Sequence, residues 1–150
     1  MFDFFFKKKY FTIPEQDKIL AAIREAEYCT SGEVRLYIES KCKTAVPLER
    51  AMAVFHSLKM DKTADRNAVI LYIAMESRQL AIFGDEGIHN IVGQDYWDNT
   101  VMRLTANFKS DNMAGGIVGA IKDIGLKLQK YFPYRDDDKN ELPDDIVFGK

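Results

Sequence analysis

Histidine, cysteine and tryptophan are scarce in this chain: two, two and one among 150 residues. With no CxxC and no HxxxH spacing, the sequence argues against a structural zinc site. Cys29 and Cys42 flank an expected strand over 33–39, whose ends lie more than about 20 Å apart at ~3.3 Å per residue. A disulfide needs Cα atoms within roughly 7 Å, so two free thiols and a reducing compartment are expected. Long apolar runs are also missing, since no stretch approaches the roughly 20 residues of a membrane-crossing helix. Neither sign of charge dominates. A net charge of −2 and a pI near 5.7 argue against a general nucleic-acid binder, which would carry a basic face. GxxxxGK[ST] and GxGxxG are both absent, so Gly115-Gly116 is no phosphate loop, and no Ser/His/Asp or Cys/His arrangement can be read.

What remains has ordinary soluble proportions, 47% apolar and 29% charged residues, and a length that suits a single domain with a real core. Three parts are expected: an aromatic and basic strap over 1–11, one α/β domain over 12–132, and an acidic tail over 133–150. In the strap, Phe2, Phe4, Phe5 and Phe6 precede Lys7, Lys8 and Lys9. That order is the reverse of a secretory signal, and no small-residue cleavage site follows. A cytoplasmic location is therefore expected. The strap is expected to pack on the domain, with a shallow membrane or partner anchor as the alternative.

Thr12-Ile13-Pro14-Glu15 has capping-box spacing, and Ile19, Leu20, Ile23 and Ala26 recur at helical spacing up to about Tyr28. Ser31-Gly32 breaks that helix. Val34, Leu36 and Ile38 alternate with polar residues in a strand expected to be buried mainly on one face. Pro47 opens a second helix, striped by Ala51, Val54, Phe55 and Leu58. The stretch from Asn67 to Gly87 is the most informative: an apolar strand (68–74), a polar turn (75–78), a second strand (79–83), then a glycine-flanked acidic pair. An apolar strand of this kind is covered on both faces, which predicts helices on both sides of the sheet. Trp97, Val101, Leu104 and Phe108 stripe one further helix. Ile117, Ile121, Ile124 and Leu128 line the last, which Ser110 or Asp111 can cap. Gly115 and Gly116 weaken that helix by on the order of 1 kcal/mol each, and close approach to a neighbouring backbone is expected to compensate. In the tail, Leu142, Ile146, Val147 and Phe148 can dock. The fold class expected is α/β: a three-layer α/β/α sandwich with a small mixed sheet, one parallel crossover plus an antiparallel hairpin.

With that topology, three loops share one sheet edge: the entry to the first strand (31–33), the entry to the second (61–67) and the exit of the third (84–87). They carry Glu33, Asp61, Asp65, Asp85 and Glu86, with Asn67 beside them. Carboxylates with an amide oxygen are what hard cations such as Ca²⁺ and Mg²⁺ prefer, so these five are the candidate metal ligands. Against this, loop acids are commonly just solvated, and Asp85 or Glu86 can cap the helix that follows. His56 and His89 read as surface or capping residues, Asp95 and Asp98 as favourable charges at a helix start. Arg78, in the hairpin turn, reads as a solvated residue, or an anion contact at the opposite edge.

In order and spacing these features resemble the TPM domain family, named for a thylakoid lumen protein, a photosystem II repair protein and a membrane modulator of acetylcholine receptors. The matching pieces are Thr30-Ser31-Gly32-Glu33-Val34, Asp65-Arg66-Asn67, Arg78, Gly84-Asp85-Glu86-Gly87-Ile88, the Trp97 helix and Gly115-Gly116-Ile117. The resemblance covers roughly 12–132 and implies an α/β/α sandwich. It also implies acid phosphatase activity for plant members, divalent-cation binding for some, and accessory roles beside membrane proteins for others. Many relatives carry a signal peptide, a transmembrane helix and Asn-Gly where this chain has Asn67-Ala68. The chain is expected to be a soluble bacterial module that binds Ca²⁺ or Mg²⁺ and a protein partner, one at a membrane included. A metal-assisted phosphomonoesterase, with Asp85, Glu86 and Asp65 holding the metal, and a ligand-free structural adaptor are the alternatives.

Overall fold

The structure, a computed structural model, describes residues 10–134 and 146–149. The expectations for Phe2 to Lys9 and for the acidic stretch 135–145 lie outside the described residues.

Helix α1 (Ile13–Tyr28) starts at the expected capping box. The Thr12 hydroxyl accepts from the Glu15 N–H at 3.2 Å, and the Glu15 carboxylate accepts from the Thr12 N–H at 2.8 Å. After it come β1 (Glu33–Glu39), α2 (Pro47–Ser57), β2 (Ala68–Ala74) and β3 (Gln79–Gly84). The chain then forms α3 (Glu86–Val92), α4 (Gln94–Lys109), α5 (Met113–Tyr131) and β4 (Ile146–Phe148). Gly93 separates α3 from α4 at φ +81°, ψ 166°, a backbone region essentially reserved for glycine.

The sheet order is β3-β2-β1-β4. β1 and β2 run parallel, from Glu33 opposite Ala68 to Glu39 opposite Ala74. β2 and β3 form the antiparallel hairpin, Val69 opposite Gly84. The tail supplies the fourth strand: Ile146 to Phe148 add parallel to Leu36–Ile38 of β1. Docking of the tail thus takes the form of strand pairing, with Ile146 buried.

Every residue of β2 is buried, which requires cover on both faces. On one side α1, α4 and α5 pack on Val34, Leu36, Ile38, Val69, Leu71 and Ile73. On the other, α2 brings Val54 and Phe55 onto Ile70, Tyr72 and Ala81. The result is a mixed sheet between two helical layers, as expected.

Three local expectations are corrected. β1 is buried on both faces, with Glu33, Arg35 and Glu39 no more than 4% exposed. Alternation marks the polar face as the wet one only when its charges lack partners, and Glu39 is paired with Arg50. The N-cap of α5 is Asn112, without a side-chain hydrogen bond, because Asp111 occupies a left-handed turn at φ +55°. At Gly115 and Gly116 the near neighbours are the side chains of Asn112 and Asn107, both about 2.6 Å from an added Cβ. There the neighbour is a polar side chain, whereas backbone approach occurs at Gly87.

Candidate functional site

The three loops do meet at one edge. Asn67, 1% exposed, donates through Nδ2 to the Ser31 hydroxyl at 3.1 Å. Ser31 Oγ in turn lies 3.4 Å from Asp65 Oδ2. Asn67 Oδ1 and Thr63 Oγ1 are buried with no hydrogen-bond partner among the described residues, a state that costs about 1–3 kcal/mol per group.

A second grouping lies beside it. Arg66, in the left-handed region at φ +50°, turns its guanidinium onto the β3 exit. Its Nε and Nη2 donate to the two oxygens of Asp85 at 2.6 and 2.8 Å, and its Nη1 reaches Glu86 at 2.9 Å. Asp85 is 3% exposed and is also the N-cap of α3, accepting from the Glu86 N–H at 2.8 Å. The helix start favours that negative charge. Gly87 locks the loops together: its N–H donates to Arg66 O at 2.8 Å, and a Cβ there would lie 2.1 Å from Asp65 O.

The five expected ligands therefore divide. Asp85 and Glu86 share Arg66. Asp65 faces Ser31. Asp61 pairs with Lys62 at 3.7 Å. Glu33 is buried within the sheet at 3% exposure. Among the described residues no three His, Cys, Asp or Glu side chains converge on one point. The oxygen-bearing side chains that do meet there are Asp65 and Ser31, with the Asn67 amide bonded to the Ser31 hydroxyl.

Other residues settle into structural work. The Trp97 indole N–H donates to His89 Nδ1 at 3.0 Å, which leaves His89 its Nε2 proton. His56 is exposed on α2. Asp95 stands in the first turn of α4, and Asp98 accepts from Gln94 at 2.9 Å. Arg78 donates to Phe108 O at 2.9 Å and lies 5.3 Å from the Phe108 ring centroid, closing the α4 C-terminus. Both cysteines are free.

At the opposite sheet edge lies a charged cluster that the sequence pattern missed. Glu39, with a side chain 1% exposed, receives Arg50 Nε at 2.8 Å and Nη2 at 3.0 Å, plus the Tyr72 hydroxyl. Burial pushes the Glu39 carboxyl up, but the hydrogen bonds from Arg50 and Tyr72, with the charges of Arg50 and Lys43, bring it below the usual carboxylate range. Burial first, then the bond to Glu39, raises the Tyr72 phenol far above its ordinary value. A strand residue and a helix residue eleven positions apart give no periodic signal. Arg66 with Asp85 was closer to reach, because the hairpin sets Asp85 opposite Ala68, two residues beyond Arg66.

No helix among the described residues is long and apolar enough to cross a membrane. No curated protein matches the chain. Solved structures do. The BA42 protein of the psychrophilic bacterium Bizionia argentinensis, solved by NMR, is 43% identical. The match covers 92% of this chain and 94% of that one, with a TM-score of 0.82. The N-terminal domain of the Corynebacterium glutamicum cg2496 protein is 15% identical over 78% of this chain and 73% of its own, TM-score 0.62. The N-terminal domain of a P. gingivalis protein is 12% identical over 82% of this chain and 79% of its own, TM-score 0.60; these two share the fold. The TM-scores agree with the α/β/α architecture, and the family model described as TPM domain matches residues 6–126, so the chain belongs to the TPM domain family.

Proposed function

We propose that this TPM domain is a binding module for a hard divalent cation, Ca²⁺ or Mg²⁺, held at the edge where loops 31–33, 61–67 and 84–87 meet, and that it also engages a protein partner. The observation that carries the reading is the buried Asn67 Oδ1, which has no hydrogen-bond partner among the described residues, on a side chain whose Nδ2 bonds the Ser31 of the Ser31–Asp65 pair. A cation with its bound water would satisfy that oxygen. Asp65, Asn67 and Ser31 would hold it, and Asp85 and Glu86 would join only by giving up Arg66. One carboxylate in the primary set implies weak binding, in the range of about 10⁻⁴–10⁻³ M typical of low-charge Ca²⁺ sites. Phosphomonoester hydrolysis would need a cationic group to receive the phosphate, and Arg66 at this edge is already paired with Asp85 and Glu86, so the binding reading is preferred.

The test is a ¹H–¹⁵N NMR titration of the metal-free protein with Ca²⁺ and then Mg²⁺. Saturable shifts confined to 31–33, 61–67 and 84–88, weakened at least about tenfold in Asp65→Asn, are expected. Silence at millimolar cation, or shifts scattered over the surface, would overturn the reading.

A further inference from the structure

Among the described residues β3 is an edge strand, paired with β2 and with no strand on its other side. The Asp85 N–H bonds Ala68 O at 2.9 Å, which fixes the phase of the ladder. Residues 79, 81, 83 and 85 turn their backbone groups to β2, and Leu80, Ile82 and Gly84 turn theirs outward. None of the turn, loop or side-chain hydrogen bonds among the described residues reaches these three. They are nonetheless buried, Ile82 to 4% exposure, because the edge lies at the floor of a slot. Natural edge strands are usually blunted by proline, lysine or a bulge. β3, QLAIFG, carries no proline or lysine, and its register with β2 runs unbroken from Gln79 to Gly84.

The slot is two adjoining cavities of about 380 Å³ each, which share Leu48, Ile82, Gln94 and Trp97. One wall is the start of α2, where Val46 and Leu48 are 47% and 36% exposed. The other is α4, with Trp97 and Val101. The lining holds the carboxylates of Asp85, Glu86 and Asp98 against the single guanidinium of Arg66, so it is net negative.

We propose that this slot binds an extended peptide of a partner protein by strand addition to β3, the peptide carrying alternating apolar side chains and a flanking lysine or arginine. Only a backbone presents donors and acceptors at the spacing of Leu80, Ile82 and Gly84, a span of about 13 Å at ~3.4 Å per residue. Alternate side chains of the added strand fall on opposite faces. One set meets Val46 and Leu48, the other Trp97 and Val101. The excess of carboxylate selects a cationic flank. The inference names the partner class for the protein-binding half of the reading above. Ser31, Asp65 and Asn67 lie outside the slot, whereas Arg66, Gly84, Asp85 and Glu86 border both. Shifts at 31–33 therefore report the cation alone, those at Leu80, Ile82 and the Trp97 indole report the peptide alone, and the two titrations can fail independently.

The probe is the acetylated, amidated peptide Lys-Val-Thr-Val-Lys, titrated into ¹⁵N-labelled protein. Two controls accompany it: the same backbone with glutamate for lysine, and the lysine peptide N-methylated at alternate amides. Saturable shifts at the amides of Leu80, Ile82 and Gly84 and at the Trp97 indole are expected. N-methylation and glutamate exchange should each weaken binding at least about tenfold. In Asp98→Lys, at an exposed position, the preference between the lysine and glutamate peptides should narrow or invert. No saturable shift at several-millimolar peptide, or equal binding of the N-methylated control, overturns the proposal. Concentration-dependent shifts at the same amides without peptide would place a second copy in the slot and overturn it too.

Discussion

Replacing Arg50 with methionine isolates the energetics of the buried cluster at the far sheet edge. The guanidinium supplies two of the three hydrogen bonds on Glu39 at 3.0 Å or less. The nearest other cation, Lys43, is 4.0 Å away and mostly solvated. Without Arg50, a carboxylate with a side chain 1% exposed is left in an apolar layer, which costs about 3–5 kcal/mol. For an m-value of about 2 kcal/mol/M, the urea midpoint falls by roughly 1.5–2.5 M. The triple replacement Arg50→Met, Glu39→Leu, Tyr72→Phe removes every polar member at once and should recover most of the loss. pH supplies an independent sign. In the native chain the folded-state pKa of Glu39 is depressed. Its stabilisation is therefore present above the unfolded value near 4.3 and is lost as pH falls through the lower folded value. In Arg50→Met burial prevails and the folded pKa rises above the unfolded value, so the variant regains stability as pH falls through that raised pKa and its deficit narrows on acidification. A deficit under about 1 kcal/mol at pH 7, or one that widens in acid, would refute the argument and mean that water reaches Glu39.

Two glycines test opposite causes. Gly87→Ala places a methyl 2.1 Å from Asp65 O, so chemical denaturation should show a loss of about 2 kcal/mol or more, with amide shifts centred on 65–67 and α3. Gly93→Ala meets nothing within 4 Å and should still cost about 1–3 kcal/mol, since alanine resists φ +81° with ψ 166°. Its thermal midpoint should drop while the packing of Trp97 stays native by fluorescence. Thr12→Ala removes one arm of the capping box and should cost about 1 kcal/mol, read as faster amide exchange in the first turn of α1.

Much of this architecture is legible in the sequence because it rests on periodicities. β1, α2 and the hairpin fall where alternation, Pro47 and the polar turn put them, and two layers of cover follow from the unbroken apolar run of β2. Juxtapositions are another matter. That the three loops share an edge follows from topology alone, whereas the grip of Arg66 on Asp85 and Glu86 depends on a left-handed residue that no propensity marks. Glu39, Arg50 and Tyr72 come from three elements, and their polar residues read as solvent-facing until the layer above them is known. The fourth strand is only three residues long, below the length at which alternation carries a signal.

That short strand also sets a schedule for synthesis. Leu36 of β1 takes its last sheet neighbour from Ile146, 110 residues later, and translation at about 5–20 residues per second places several seconds or more between them. During that interval β1 can pair with β2 but presents a bare parallel edge to whatever else is nearby. The nascent chain is then most exposed to misassociation at the centre of its eventual sheet, and ribosome stalling after α5 would hold it in that state.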